Sequence, residues 1–237
     1  QANPKDYYHL TLRASESHLL HPSELGSLRR DMDQEEYAQE YECSFDAALK
    51  GAIYAQEVNN LFAEQRIRSS LYEPALPVNV IFDLGFTDST VAIWWQEHRD
   101  GTVAVVNVEA TQGADIHHHI DRINQFPGEV GDVWLPHDAR AKSLQTGKSI
   151  VEQFVDNDIR PQIVPNHKVR DRIAATRKLF PRVLLEESTS DDLIEALKGY
   201  RRQWDDNLLR FSDAPLHDWC SDCADAFGYM AVVTVHR

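Results

Sequence analysis

The sequence predicts an α/β fold: a mixed, partly antiparallel central sheet with helices packed against it. Three observations predict it. Apolar runs rich in Val, Ile, Phe and Trp follow one another at residues 78–85, 89–97 and 102–110, separated by turn residues. Shorter apolar runs at 132–136, 162–164 and 183–185 then alternate with segments of helical periodicity at 114–125, 149–157, 169–180 and 191–200. A last helix is predicted over 217–233, apolar at Ala224, Phe227 and Ala231.

The first two runs read as a hairpin, Val80-Ile81-Phe82-Asp83 entering the turn and Thr90-Val91-Ala92-Ile93-Trp94-Trp95 leaving it, with Gly85 and Asp88 between them. Arg99-Asp100-Gly101 makes the next turn. Residues 1–40 are polar and irregular, with a short strand at 6–12, a helix opening at Pro22-Ser23-Glu24-Leu25 with Ser23 as cap, and another helical turn at 33–37. An Ala-rich helix is predicted over 47–65, interrupted at Gly51. Pro74 and Pro77 punctuate a linker, so the organisation expected is a connector over 1–70 and the main domain over 71–237.

A chain of 237 residues, 42% of them hydrophobic, suits one domain with a small appendage, and no run has the length of a membrane span. It opens on Gln1 with no charged-then-apolar leader, so a piece of a longer protein or a processed end is expected. Three cysteines, Cys43, Cys220 and Cys223, cannot form a disulfide framework, which points to a reducing cytoplasm. Cys220 and Cys223 have a Cys-x-x-Cys spacing, but with no second pair they read as packing residues of the last helix. The five tryptophans read as core or core edge, with no platform for stacking bases.

The formal net charge of -14 argues against a generally basic nucleic-acid binder. The basic residues nevertheless cluster: Lys168, Arg170, Arg172, Arg177, Lys178 and Arg182 in one helical segment, and Arg140, Lys142 and Lys148 after Asp138. Phosphate contacts need charge but no sequence code, so both groups are candidate DNA contacts; the competing reading is a solvated helix face.

An acid at the end of an apolar strand must be hydrogen-bonded, solvated or bound to a cation. Asp83 ends the first strand, Asp138 follows the fourth, and Asp222 and Asp225 share a face at the start of the last helix. If the first and fourth strands are neighbours, these acids meet at one sheet edge. Carboxylates so gathered raise one another's pKa, and a hard divalent ion such as Mg²⁺ relieves the repulsion. Two such ions about 3.5–4 Å apart can hydrolyse a phosphodiester. The bland alternative is that these acids are turn formers and helix caps.

Several stretches resemble the large subunit of tailed-bacteriophage terminase in its C-terminal nuclease part. They are Tyr37-Ala38-Gln39-Glu40-Tyr41-Glu42-Cys43-Ser44-Phe45 with Gly51-Ala52-Ile53-Tyr54, Phe82-Asp83-Leu84-Gly85 with Asp88-Ser89-Thr90, Leu135-Pro136-His137-Asp138-Ala139, and Ser221-Asp222-Cys223-Ala224-Asp225-Ala226-Phe227-Gly228-Tyr229. The resemblance implies a ribonuclease-H-like fold and a metal-dependent endonuclease that cuts concatemeric double-stranded viral DNA during packaging. It implies one or two Mg²⁺ or Mn²⁺ ions on Asp83, Asp138 and Asp222 or Asp225, with Asp222 slightly preferred, and Asp88 as an accessory ligand or a turn acid. His137, beside Asp138, is a further accessory candidate, for a water, a phosphate or a structural hydrogen bond. Relatives usually carry a basic residue where Gly228 stands. The partners implied are the ATPase motor domain, the small terminase subunit and the portal, and the place is the host cytoplasm during virion assembly.

The motor's own motif is absent, because Thr146-Gly147-Lys148-Ser149 has Lys142 where the earlier glycine is required. His117-His118-His119 reads as a surface helix, since adjacent helical residues point in different directions. Two other classes compete with the nuclease reading: a ribonuclease-H-like resolvase or transposase, which the match over 37–54 disfavours, and a non-catalytic docking module.

Overall fold

The predicted antiparallel meander lies in the middle of a seven-stranded sheet in the computed structural model, which describes residues 14–17, 19–31, 37, 41, 51–85, 89–142, 147–205 and 210–235. The expected strand at 6–12, Cys43 and Asp88 lie outside the described residues. The chain divides into two units, Gln1–Lys50 and Gly51–Arg237. The expected boundary at residue 70 falls inside the second of them.

In the first unit, α1 spans Ala14–Ser17 and α2 spans Pro22–Asp31. Pro22 is itself the first helical residue, a position where its missing N–H costs nothing. Ser23 therefore lies inside the first turn and does not cap it; its hydroxyl meets His21 Nδ1 at 2.7 Å, while Glu24 accepts from the His21 N–H at 3.3 Å.

The second unit holds α3 (Ala55–Ala63), β1 (Ile67–Arg68), β2 (Val78–Asp83), β3 (Ser89–Glu97), β4 (Val103–Gln112), α4 (Ile116–Asn124), β5 (Val130–Leu135), α5 (Ile150–Val155), β6 (Gln162–Ile163), α6 (Val169–Leu179), β7 (Val183–Glu186), α7 (Asp191–Gly199), β8 (Arg202–Asp205), β9 (Arg210–Pro215) and α8 (Trp219–Val235). The strand order is β1-β7-β4-β3-β2-β5-β6. β2, β3 and β4 run antiparallel; β5 lies parallel to β2, β6 to β5, β7 to β4 and β1 to β7.

Alternation along the strands sends side chains to two cores. Ile81, Ile93, Trp95 and Val105 face α3, α6, α7 and α8, where Leu61, Leu179, Leu197 and Phe227 are buried. Val80, Phe82, Ala92 and Trp94 face α4 and α5, meeting Ile120, Ile123 and Phe154. Helices thus cover both faces, which is why these strands read as continuous apolar runs and not as alternating ones. Trp204 and Trp219, expected at the core edge, are exposed.

Three features depart from expectation. Of the helix predicted over 47–65, residues 47–50 lie outside the described residues and 51–54 are not helical, α3 starting at Ala55, because this backbone pairs elsewhere: Ile53 N–H donates to the Tyr200 carbonyl at 2.8 Å, and Arg202 N–H to that of Gly51 at 2.9 Å. Gly51 has φ 80°, and a Cβ there would lie 2.6 Å from the Phe211 ring. The β8–β9 hairpin and the two-residue β1 were not anticipated; β1 gains its place only by pairing Ile67 with Leu185. Among the described residues, no helix is long and apolar enough to cross a membrane.

Candidate functional site

β2 ends at Asp83 because the chain must leave the ladder there for the turn into β3. β5 lies parallel beside it with Ile81 opposite Trp134, so continuing the register brings Asp83 level with Pro136. A single 3-10 turn, His137–Arg140, follows and presents Asp138 at the same sheet edge. α8 packs across β2 and β3, and Asp222 in its first turn and Asp225 three residues on approach from the other side.

Three of these acids act electrostatically on the fourth, Asp83. Burial pushes the Asp83 carboxyl up to about 8; repulsion from Asp225, Asp222 and Asp138 adds to the rise, and Arg172 opposes it. Burial also raises Asp225, against the pull of Arg172 and a hydrogen bond from Tyr200. Tyr229 is raised to about 12, chiefly by burial and then by Asp83. The charged form of Asp83 is thus disfavoured where it stands, and a cation would reverse that.

All four donors are carboxylates, a set suited to a hard, oxygen-seeking divalent ion. Among the described residues, no three His, Cys, Asp or Glu side chains already stand around one point as ligands. The acids are electrostatic neighbours, not a preformed cage.

Asp225 is held from two sides. Arg172 Nη2 donates to its Oδ1 at 2.6 Å, and Tyr200 OH donates to the same oxygen at 3.1 Å. The Arg172 guanidinium lies 5.0 Å over the Tyr229 ring. Asp222 accepts from Ser221 Oγ at 3.5 Å. Asp218 caps α8 by accepting from the Cys220 N–H at 3.0 Å, and His217 Nδ1 meets Ser221 Oγ at 3.0 Å.

The basic residues separate sharply. Arg172 was expected on a phosphate-binding face but is only 7% exposed, because its stem runs between α6 and α8. Arg177 bonds Glu57 at 3.0 Å and the Ile53 carbonyl at 2.8 Å. Lys148 pairs with Asp156 at 2.6 Å, and Lys142 with Glu152 at 3.5 Å. Arg170 lies 3.4 Å from Asp171 and is largely exposed; Arg140, Lys168 and Lys178 are exposed too. His137 is exposed beside Asp138.

Sequence reasoning missed Arg172's place inside the site, and His167. The His167 Nδ1–H donates to the Pro165 carbonyl at 2.6 Å, its ring lies edge-on to Tyr229, and burial holds its pKa below the usual histidine value. A signal for the first was Gly228: a glycine inside a helix usually has a packing reason. The histidine run divides as well. His117 and His118 are exposed, but His119 is buried, edge-on to Phe82 and 3.3 Å from Thr111 Oγ1. Cys220 and Cys223 are buried, and burial raises their thiols to about 11 and about 12.

No family model and no curated protein sequence matches the chain. Solved structures do match. The large terminase of the thermophilic bacteriophage D6E superposes with a TM-score of 0.60 at 16% identity, over 96% of this chain and 56% of that one. The P22 large terminase nuclease domain gives 0.52 at 17% identity, over 72% of this chain and 88% of that domain. The g2p nuclease domain of bacteriophage SPP1, solved with bound Mn, gives 0.50 at 11% identity, over 69% and 92%. The chain therefore spans little more than half the length of the D6E protein, and what it shares with all three is architecture. Its mixed sheet with flanking helices is the ribonuclease-H-like fold of large-terminase nuclease domains.

Proposed function

We propose that this chain is the nuclease part of a large terminase subunit of a tailed bacteriophage, a divalent-metal-dependent endonuclease that cuts concatemeric double-stranded viral DNA during genome packaging. The observation that carries the reading is a buried carboxylate at the end of β2, Asp83, on which the charges of Asp225, Asp222 and Asp138 all act, in a chain of this fold. Mn bound to the SPP1 nuclease domain supports a divalent cation in this chain as well.

Asp83, Asp138 and an acid of α8, Asp222 or Asp225, would hold one or two Mg²⁺ or Mn²⁺ ions. Ions so held would supply Lewis acidity, to lower the pKa of a bound water and to stabilise negative charge on a departing oxygen. Asp83 becomes a full carboxylate when a cation offsets its burial and its acidic neighbours, so its charge and the loading of the site go together. His137 stands at the exposed rim, able to orient a phosphate or a water. Exposed Arg140, Lys168, Arg170 and Lys178 would seat the DNA backbone without reading sequence. Lys142, Lys148 and Arg177 would have to exchange a carboxylate partner for phosphate to join them.

A net charge of -14 supplies no long-range attraction for DNA. Delivery would fall to the ATPase motor domain of the full-length protein, the small terminase subunit and the portal, in the host cytoplasm.

A plasmid assay tests the reading. With Mg²⁺ or Mn²⁺ the chain nicks supercoiled DNA and Asp83→Asn does not. Supercoiled DNA left equally intact by both proteins, across metal and protein concentrations, overturns the nuclease assignment and leaves the docking module. Equal cutting by both moves the activity away from Asp83.

A further inference from the structure

We infer that residues 51–54, where the chain enters its second unit, form a strap that positions Asp225 through Tyr200, so that the cation affinity of the acidic edge depends on the strap being seated. The inference rests on the reading that this sheet edge binds a divalent cation, and it adds Tyr54 and Tyr200 to the site as positioning residues.

Among the charges acting on Asp83, that of Asp225 has the largest effect, so the place of its carboxylate matters to the whole edge. Two donors fix Asp225 Oδ1: Arg172 on α6 at 2.6 Å, and Tyr200, directly after α7, at 3.1 Å. Burial raises the pKa of the Tyr200 hydroxyl, which therefore keeps its proton and stays a donor. A hydroxyl bound to a carboxylate makes a strong bond, but one that weakens steeply when misaligned. The ring that carries the hydroxyl must be held still, and residues 51–54 hold it.

Ile53 N–H donates to the Tyr200 carbonyl at 2.8 Å and Arg202 N–H to the Gly51 carbonyl at 2.9 Å, with Ala52 opposite Arg201 in an antiparallel bridge. The Tyr54 ring stacks on the Tyr200 ring, with centroids 5.6 Å apart and planes 17° apart, and Phe180 meets Tyr54 at 5.4 Å. Both tyrosines are buried, where close packing leaves a ring little room to swing. The strap is also tied to the helix of the other donor: Arg177, on α6 with Arg172, donates to the Ile53 carbonyl at 2.8 Å. Residues 51–54 thus touch both parts of the fold that reach Asp225, and they set the spacing between its two donors.

The test is Mn²⁺ affinity, read from the electron paramagnetic resonance signal of free Mn²⁺, with thermal melting as the control for folding. Tyr200→Phe keeps the stacked ring but removes the donor, and should weaken Mn²⁺ binding by about tenfold. Tyr54→Leu removes the stack and should weaken it by about fivefold. Tyr54→Phe, which keeps the ring and gives up only the hydroxyl's bond to Thr176, should stay within about twofold. Because Tyr54 acts through Tyr200, adding Tyr54→Leu to Tyr200→Phe should cost less than about twofold more. If Tyr54→Leu does not fold, Gly51→Ala replaces it, since a φ of 80° and a Phe211 ring 2.6 Å from the added Cβ both force the strap to shift. Mn²⁺ affinity unmoved in a folded strap variant, or in Tyr200→Phe, overturns this inference and spares the metal reading. So does an equal loss from the strap variant with and without Tyr200→Phe. Absence of Mn²⁺ binding by the unaltered chain overturns the metal reading, and the inference falls with it.

Discussion

Arg172 and Gly228 fit each other across the α6–α8 contact: the arginine stem fills the space a side chain at Gly228 would need. The guanidinium is thereby carried to Asp225, 2.6 Å from Oδ1. A glycine in the middle of a helix normally costs up to about 1 kcal/mol relative to alanine. Here that cost is offset by admitting a buried cation beside the acids.

Gly228→Ala therefore sets two effects against each other. Helix propensity favours alanine by up to about 1 kcal/mol. The new methyl would meet Arg172 Cγ and Cδ at 2.7 Å, and because that stem is buried it cannot swing aside freely. Overpacking of this kind costs about 1–3 kcal/mol, so the variant should be destabilised on balance. Urea denaturation measures this, and a raised midpoint would show that the stem yields easily.

His119 should make stability pH-dependent. Burial lowers its folded pKa below the ordinary 6.5, so in that window the unfolded chain binds the proton more readily. Its contribution is fully present above the unfolded value and is lost as pH falls towards the folded one. The melting temperature should accordingly decline on acidification from neutrality, and less steeply in His119→Gln. Parallel declines in the two proteins would assign the titration to another group.

Gln96 clamps the segment that enters β2. Its buried side chain accepts from the Glu73 N–H at 2.8 Å and donates to the carbonyls of Glu73 at 2.8 Å and Leu76 at 2.7 Å. Gln96→Leu removes all three bonds. Unmatched polar groups cost about 1–3 kcal/mol each when buried, but Glu73 is exposed and water can replace part of the loss, so about 2 kcal/mol in total is expected. Limited proteolysis should show faster cutting within residues 71–77; an unchanged pattern would mean that the flanking prolines hold the segment without Gln96.

The meander, the parallel strands after it and most helices were legible in the chain because each is a local pattern. Buried strands leave continuous apolar runs around Val80 and Trp94, and the α8 acids sit three residues apart whatever the rest of the fold does. The segments that went unread lack such a pattern. β1 is two residues long, and the 51–53 backbone abandons the predicted helix to pair with 200–202. Neither is stable except through a partner more than a hundred residues away.

The candidate site divides in the same way. The sequence by itself determined which residues bring carboxylates: Asp83 at a strand end, Asp138 after another, Asp222 and Asp225 on one helical face. Only the tertiary structure decided that β5 lies beside β2, so that Asp138 follows the strand next to the one Asp83 ends, and that a basic residue counted towards a phosphate-binding face turns inward to Asp225. Charge alone does not reveal this. Whether an arginine meets water or a carboxylate depends on the free volume a neighbouring helix leaves for its stem, and at Gly228 that volume is set by an absent side chain.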